Sequence, residues 1–387
     1  MTEVYIISAV RTPVGVGKPG GALNSIPPLD LAAQVLCEAA RRAGVEPALA
    51  QDVILGCVSP IGEQGANIAR LAALKAGFPV EVPGVTLNRM CGSSQQAIHF
   101  AAQAIASGDM EVVIAGGVES MSRVPIGSDW PKEWPADFPY RLVHQGLSAE
   151  MVAEQWHLSR EALDDFSYAS HVRAATATVE GRFQREIIPI HVEGGTAYAP
   201  SGGATRVVTA DEGIRFNPDR AKMASLKPVF KEGGVITAAN SSQISDGAAA
   251  LLLASEAAVK RHNLKPRARF VARVVVGSDP VIMLTGPIPA TRQALARAGL
   301  TLADIDVVEI NEAFASVVLA WQKETGADPS RVNPNGGAIA LGHPLGASGA
   351  RLMTTLLHEL DRRQGRYGLQ TMCIGHGMAT ATIVERL

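Results

Sequence analysis

Apolar residues in this 387-residue chain follow two rhythms: short continuous runs, and longer stripes with helical spacing. EVYIISAV is an apolar run of strand length, and PLDLAAQVLCEAARRAG carries an apolar stripe that ends at Gly44, which predicts an amphipathic helix closed by that glycine. DVILGCV predicts a strand and NIARLAALKAG a helix, and VTLNRM and EVVIAGG predict two more strands around a helix opened by Cys91. Unbroken apolar strands alternating with helices predict an α/β unit with a buried sheet. The rhythm returns late in the chain through RFVARVVVG, TRQALARAG, IDVVEI, ASVVLAWQKETG, a helix from Ala347 to about Arg363, LQTMCIG and ATATIVE. Each unit holds a glycine-flanked turn, a long helix and an apolar strand ending in glycine, so internal duplication is the expectation.

Residues 119–245 break the pattern. IGSDWPKEWPADFPYR and EGGTAYAPSGGAT are rich in Pro, Gly and aromatic residues, and they flank a helical stretch, SAEMVAEQWHLSREALDDFSYASHVRAATATV. The expected division is a first half of residues 1–118 with 246–268, an inserted excursion of residues 119–245, and a second half of residues 269–387. Within the excursion, the segment from Arg215 to Lys231 carries Arg215, Arg220, Lys222, Lys227 and Lys231 against one acid, Asp219. That balance suits a ligand bearing phosphates, and it equally suits a solvated loop.

A chain that is 47% hydrophobic can bury a large core, and a net charge of -2 with no long like-charge block gives no broad attraction for nucleic acid or anionic membrane. Small-molecule chemistry is the expectation. MTEVYIISAVRTP lacks a basic segment followed by an apolar one, and no run approaches the roughly 18 apolar residues of a membrane span, so a cytoplasmic protein is expected. Four cysteines, Cys37, Cys57, Cys91 and Cys373, are too few for a disulfide scaffold and lack metal-ligand spacing.

Four positions carry candidate chemistry. A cysteine at a helix N-terminus meets unpaired N–H groups and the positive end of the helix dipole, which favours thiolate, so Cys91 is a plausible nucleophile. The same place also suits a small buried apolar residue. In NPNGGAIALGHPLGASGAR, Pro344 fixes the backbone after His343 and the glycines leave room for a ligand, so His343 suits a base or oxyanion donor as well as a core histidine. Cys373 ends an apolar strand, where α/β folds place ligands, and a thiol is a workable proton shuttle; a core residue fits there too. Asn311, after IDVVEI, is placed to hold a water or substrate oxygen, or to cap a helix. Gly15, Gly17 and Gly20 spell G-x-G-x-x-G, but Pro19 and the extended GALNSIPP follow instead of a phosphate-binding helix.

MCGSS at Cys91, NEAF at Asn311, GHPLGASGAR at His343 and CIG at Cys373 together resemble the thiolase family, the acyl-CoA:acetyl-CoA C-acyltransferases. SAVRTPVG, EQGANIAR, VIAGGVESMS, SAEMVAE, NSSQISDGAAA and VNPNGGAIALGHP fall in the family's order, so the likeness spans nearly the whole chain. It implies two similar α/β halves stacked as a five-layer αβαβα body, with the excursion as a loop domain over coenzyme A, and a homodimer or homotetramer. It also implies reversible cleavage of 3-ketoacyl-CoA, or the reverse Claisen condensation, with CoA as substrate and neither cofactor nor metal. By matching position, Cys91 is the acylated nucleophile, His343 takes its proton, and Cys373 is the acid and base at the acetyl α-carbon or the CoA thiol. Asn311 holds a water that forms one oxyanion hole with His343, and the N–H groups of Cys91 and Gly375 form the other. Ser242 matches a CoA contact, Arg215 and Phe230 meet the adenine nucleotide, and His144 and Phe314 fall among substrate-facing positions. The chain departs from the family at His376, commonly Gly, at Gln145, often Met in short-chain members, and at Gln243, often Gly or Ala. His376 reads as an added polar contact in the acyl pocket or as a tolerated neighbour of it. A decarboxylating 3-ketoacyl synthase shares the fold but uses two histidines, and a silent CoA or lipid carrier would not need Cys91.

Overall fold

The computed structural model describes residues 2–192 and 206–387, so EGGTAYAPSGGAT lies outside the described residues. The first half contains β1 (Val4–Arg11), β2 (Gly15–Val16), α1 (Pro28–Ala43), β3 (Asp52–Gly56), α2 (Ile68–Lys75), β4 (Gly84–Leu87), α3 (Ser93–Ser107) and β5 (Val112–Ser120). The excursion supplies α4 (Gln145–Gln155), α5 (Arg160–Val179), β6 (Ile190–Val192), β7 (Arg206–Val208) and α6 (Arg220–Ala224). The chain then returns to the first half as β8 (Ser245–Ser255) and α7 (Glu256–His262). The second half contains β9 (Ala268–Gly277), α8 (Pro287–Ala298), β10 (Val307–Ile310), α9 (Ala315–Thr325), α10 (Ala338–Leu341), α11 (Ser348–Arg363), β11 (Tyr367–Ile374) and β12 (Met378–Arg386).

The strands run in the order β10-β11-β12-β9-β1-β8-β5-β3-β4, with β2 beside β8. The halves correspond strand by strand: β10-β11-β12-β9 mirrors β3-β5-β8-β1, outward from a junction where only Tyr5 with Arg269 and Ile6 with Ala268 pair. The expected duplication is therefore present in the topology. Each half mixes parallel pairs, such as β3 with β5 and β10 with β11, and antiparallel ones, such as β5 with β8 and β11 with β12.

Strand β8 shows why the runs look apolar throughout. Ala249, Leu251 and Leu253 face a central core with α3 and α11, while Ala250, Leu252 and Ala254 face α1 and α2. Both faces are buried, so the sequence cannot alternate. On β1 the inward residues Val4 and Ile6 are followed by Ala9 rather than Ser8, because the register slips between Ile6 and Ser8. A bulge of this kind re-phases the side chains.

The central core also takes Val307 of β10 and Val384 of β12, so α3 and α11 lie between the two halves' strands. The outer face of the second half packs on α8 and α9 through Ala290, Ala294, Val318 and Trp321. That ordering is the five-layer αβαβα body. Helix α3 buries polar residues as well as Ala97, Ile98, Ala101 and Ile105: Ser93, Ser94, Gln95, Gln96 and His99 are all buried. Gln95 and Thr380 share a 2.7 Å hydrogen bond, and Gln95 and His99 each lie 2.7 Å from the Thr382 hydroxyl. These polar residues dock the first half on β12. Among the described residues, no helix is long and apolar enough to cross a membrane.

Candidate active site

Cys91 lies just before α3, whose cap is Gly92, with Met90 in the left-handed region at φ 46°. The turn is held by Ser93, whose Oγ donates to the Met90 carbonyl at 2.6 Å and accepts from the Arg89 N–H at 2.9 Å. Ser94 does not cap the helix; its Oγ accepts from the N–H of Ala350 on α11 at 2.9 Å. A Cβ on Gly92 would fall 2.3 Å from Ile374 Cδ1, so with glycine the turn lies directly against the end of β11. This close approach brings Cys91 to Cys373, which precedes Ile374 on that strand.

The electrostatics of Cys91 correct one expectation. Burial pushes its thiol above the ordinary cysteine range, and the hydrogen bonds from the Gly375 N–H and the Gln145 side chain offset only part of that rise. A helix N-terminus favours thiolate, but a sulfur removed from water pays more for charge than those donors return. Burial, then the nearness of Cys91, raises the Cys373 thiol still further. Both sulfurs rest as thiols and require a base.

His343 sits between α10 and α11. Its N–H donates to the Gln243 carbonyl and to Ser245 Oγ, each at 3.1 Å, which fixes the backbone. Ser348 Oγ lies 2.5 Å from His343 Nδ1 and donates to the Pro344 carbonyl at 2.8 Å. A hydroxyl has one proton, so it accepts from Nδ1–H and leaves Nε2 as the basic nitrogen. Asn311 Nδ2, 3.3 Å from Nε2, donates to it, consistent with that tautomer. Burial and then the Arg351 charge lower the His343 pKa to about 3, so the ring is neutral. Asn311 is not a helix cap, since α9 begins at Ala315 with Phe314 before it. Its buried Oδ1 has no partner, an acceptor free for a water or substrate.

Cys91 and His343 open on a cavity of about 340 Å³. One side is apolar, with Val58, Met90, Met121, Ile126, Trp130 and Leu345. The other carries His144, Phe230, Ser242 and Phe314; His144 stacks on Phe230 at 5.0 Å, and Phe314 meets that ring edge-on at 6.1 Å. Arg215 stands elsewhere, lining a separate hollow of about 220 Å³ with Lys222, Asp219 and His171. Arg215 and Phe230 are thus not in one pocket, and Gln243 lines both. Of the other basic residues, Arg220 pairs with Asp165 over the Tyr168 ring, and Lys231 pairs with Glu154. His376, at the β11–β12 turn, sits between Trp130 and Trp134.

Sequence reasoning missed Ser348, the amide contact of Gln145, and Glu119. The Glu119 carboxylate accepts from the N–H groups of Val58, Ser59 and Gly346 and from Gln64, at 2.8 to 3.2 Å, tying the His343 turn to the first half. The signal was available: an acid ending the all-apolar run VVIAGGVES is buried and must collect donors.

Residues 4–257 match the thiolase N-terminal domain and residues 264–386 the thiolase C-terminal domain. The chain belongs to the thiolase family. It is an acyltransferase. It is 54% identical to the steroid 3-ketoacyl-CoA thiolase FadA6 of Mycobacterium tuberculosis, over all of this chain and 95% of that one. It is 46% identical to a 3-ketoacyl-CoA thiolase of Vibrio cholerae, over the full length of both. The crystal structure of the Bacillus anthracis acetyl-CoA acetyltransferase superposes with a TM-score of 0.92 at 40% identity, covering 100% of this chain and 99% of that one. In this thiolase Cys91 and His343 line one cavity, Asn311 reaches His343 Nε2, and Cys373 and Gly375 lie at the end of β11, against which Gly92 packs.

Proposed function

We propose that the protein cleaves 3-ketoacyl-CoA with CoA, or runs the reverse condensation, through an acyl-Cys91 intermediate. His343 Nε2 takes the Cys91 proton as the sulfur attacks the keto carbon; a concerted transfer avoids a free thiolate in a buried site. The Cα–Cβ bond then breaks, and the Cys373 thiol gives its proton to the α-carbon of the departing acetyl-CoA enolate. The Cys373 thiolate takes the proton of incoming CoA, whose sulfur attacks the acyl thioester, and the released Cys91 thiolate recovers its proton from His343.

The N–H groups of Cys91 and Gly375 stabilise the oxyanion on the acyl carbon, while Asn311, through a water, and His343 stabilise the enolate oxygen. His144, Phe230, Phe314 and Ser242 line the CoA arm of the cavity, and Arg215 with Lys222 takes the phosphates of its nucleotide. CoA is a substrate, and the reaction uses neither metal nor further cofactor. We place the enzyme in fatty acid metabolism, in the cytoplasm, as a homodimer or homotetramer; the open edge strand β4 with Val85 44% exposed supports self-association.

The observation that carries this reading is a buried cysteine, Cys91, that shares one cavity with a neutral imidazole, His343, whose Nδ1 is engaged by Ser348 so that Nε2 is left basic. Thiolysis of a ladder of 3-ketoacyl-CoAs tests it. Turnover that vanishes in Cys91→Ala is the expected result, and undiminished turnover in that variant overturns it.

A further inference from the structure

We propose that His376 is a specificity residue whose Nδ1 hydrogen-bonds an uncharged oxygen, a ketone or a hydroxyl, carried on the acyl group of the 3-ketoacyl-CoA. The proposal rests on the thiolase reading and names the substrate class of that site.

Position is the first support. His376 follows Gly375, the residue proposed as an oxyanion donor for acyl-Cys91, so the two Cα atoms are one backbone step, about 3.8 Å, apart. An acyl group held on that sulfur and extending along Met90 and Trp130 passes under the β11–β12 turn. The cavity wall offers hydrocarbon contacts there through Met90, Ile126 and Trp130, and His376 stands directly behind that wall, its ring against Trp130.

Backbone conformation is the second. His376 has φ 64°, the left-handed region, and Gly377 follows at φ 75°. The second position requires glycine, since a Cβ there would fall 2.5 Å from the Asp279 carbonyl. At His376 the turn would form more easily with glycine too, because a side chain costs about 1–2 kcal/mol in this region. Strain retained beside a reacting centre points to use of the side chain.

The third support is an unpaired nitrogen. His376 Nδ1 is buried and has no hydrogen-bond partner, although the residue as a whole is only half-buried. Trp130 lies 6.2 Å away and tilted, and Trp134 lies 5.9 Å away and edge-on, so the ring is fixed between two indoles. Burial pushes its pKa down, which keeps the ring neutral and matches it to a neutral oxygen rather than to a carboxylate. A buried nitrogen without a partner costs about 1–3 kcal/mol, which a substrate oxygen would recover. Trp130 and Ile126 of the cavity wall are 44% and 48% exposed, apolar surface that a bulky acyl group would cover, and Trp134 on the far side of the His376 ring is 45% exposed.

The test compares kcat/KM for 3-oxodecanoyl-CoA with analogues bearing one added ketone or hydroxyl at each of the distal carbons in turn. The wild type is expected to favour at least one oxygenated analogue by roughly three- to tenfold, the range of one neutral hydrogen bond. His376→Phe keeps a ring without nitrogen and should lose the preference; His376→Asn, which tolerates the left-handed conformation, should keep part of it. A ketone preference makes Nδ1 the donor, and a preference for hydroxyl alone makes it the acceptor. His376→Gly relieves the backbone and serves if the phenylalanine variant does not fold. Equal kcat/KM for all analogues in the wild type, or a preference unchanged in the variants, overturns this proposal while leaving the thiolase reading intact. Failure of the wild type to cleave any of them overturns this proposal, and failure across the whole ladder of 3-ketoacyl-CoAs overturns the thiolase reading as well.

Discussion

Ser348 Oγ lies 2.5 Å from His343 Nδ1, and because its only proton goes to the Pro344 carbonyl, it holds the imidazole with Nε2 unprotonated in the cavity that Cys91 also lines. The serine is on the first turn of α11 and the histidine on the loop before it, so the start of one helix sets the tautomer of the base. Ser348→Ala should leave Nδ1–H unpaired in a buried site and free the ring to turn. A fall in kcat/KM of about 10- to 100-fold is expected at an unchanged melting curve. Wild-type kinetics in that variant would remove Ser348 from the mechanism.

Gln145 and the Gly375 N–H are the donors that offset the rise of the Cys91 thiol. Gln145→Leu removes one of them, and a hydrogen bond to a charged group contributes about 1.5–3 kcal/mol. Alkylation of Cys91 by iodoacetamide at neutral pH should slow by about tenfold or more. In the wild type the rate should still be climbing at pH 9, since burial holds the thiol above the ordinary range. A rate already flat at pH 7 would mean that the helix dipole prevails over burial.

Four buried histidines have a lowered pKa, and the three lowered furthest make the largest histidine contribution to the acid sensitivity of the fold. Burial lowers His99, His343 and His358 from 6.5 to about 3, so the folded protein leaves them unprotonated where the unfolded chain binds protons. The unfolded state thus holds more protons between these values, and stability rises with pH across the window. Each group should remove about 1.4 kcal/mol per pH unit as pH falls below 6.5. Denaturant melts at descending pH check this, and a stability independent of pH between 6.5 and 4 would contradict it.

The proposed cycle gives Cys373, on β11, a different duty from Cys91: it moves protons and does not carry the acyl group. Cys373→Ser should still accept an acetyl group from acetyl-CoA, slowly, while condensation falls by about a thousandfold or more, the scale of a lost acid–base group. Normal condensation in that variant would assign the proton transfer elsewhere.

Much of this was legible in the sequence. Apolar runs marked the strands because β8 and its neighbours are buried on both faces, and Gly44 marked the end of α1 because it takes the left-handed φ of 65°. The polar side of α3 was not legible. Gln95 and His99 look solvent-facing beside Ala97 and Ile98, and only the packing of the second half against them, with Thr380 and Thr382 as partners, buries them. The thiol of Cys91 was misjudged for a related reason: helix position is local, but burial depends on the strand from the far end of the chain. Arg215 and Phe230, 15 positions apart in one segment, came to line different hollows because α6 and the turn after it separate them.

The central claim is that Cys91 carries the acyl group. Intact-protein and peptide mass spectrometry after brief exposure to acetyl-CoA measures it directly. One acetyl group per chain on the peptide containing Cys91, lost in Cys91→Ala and retained in Cys373→Ser, is the expected result. An unmodified Cys91 in an enzyme that is turning over, or acetyl on Cys373 in its place, would contradict it.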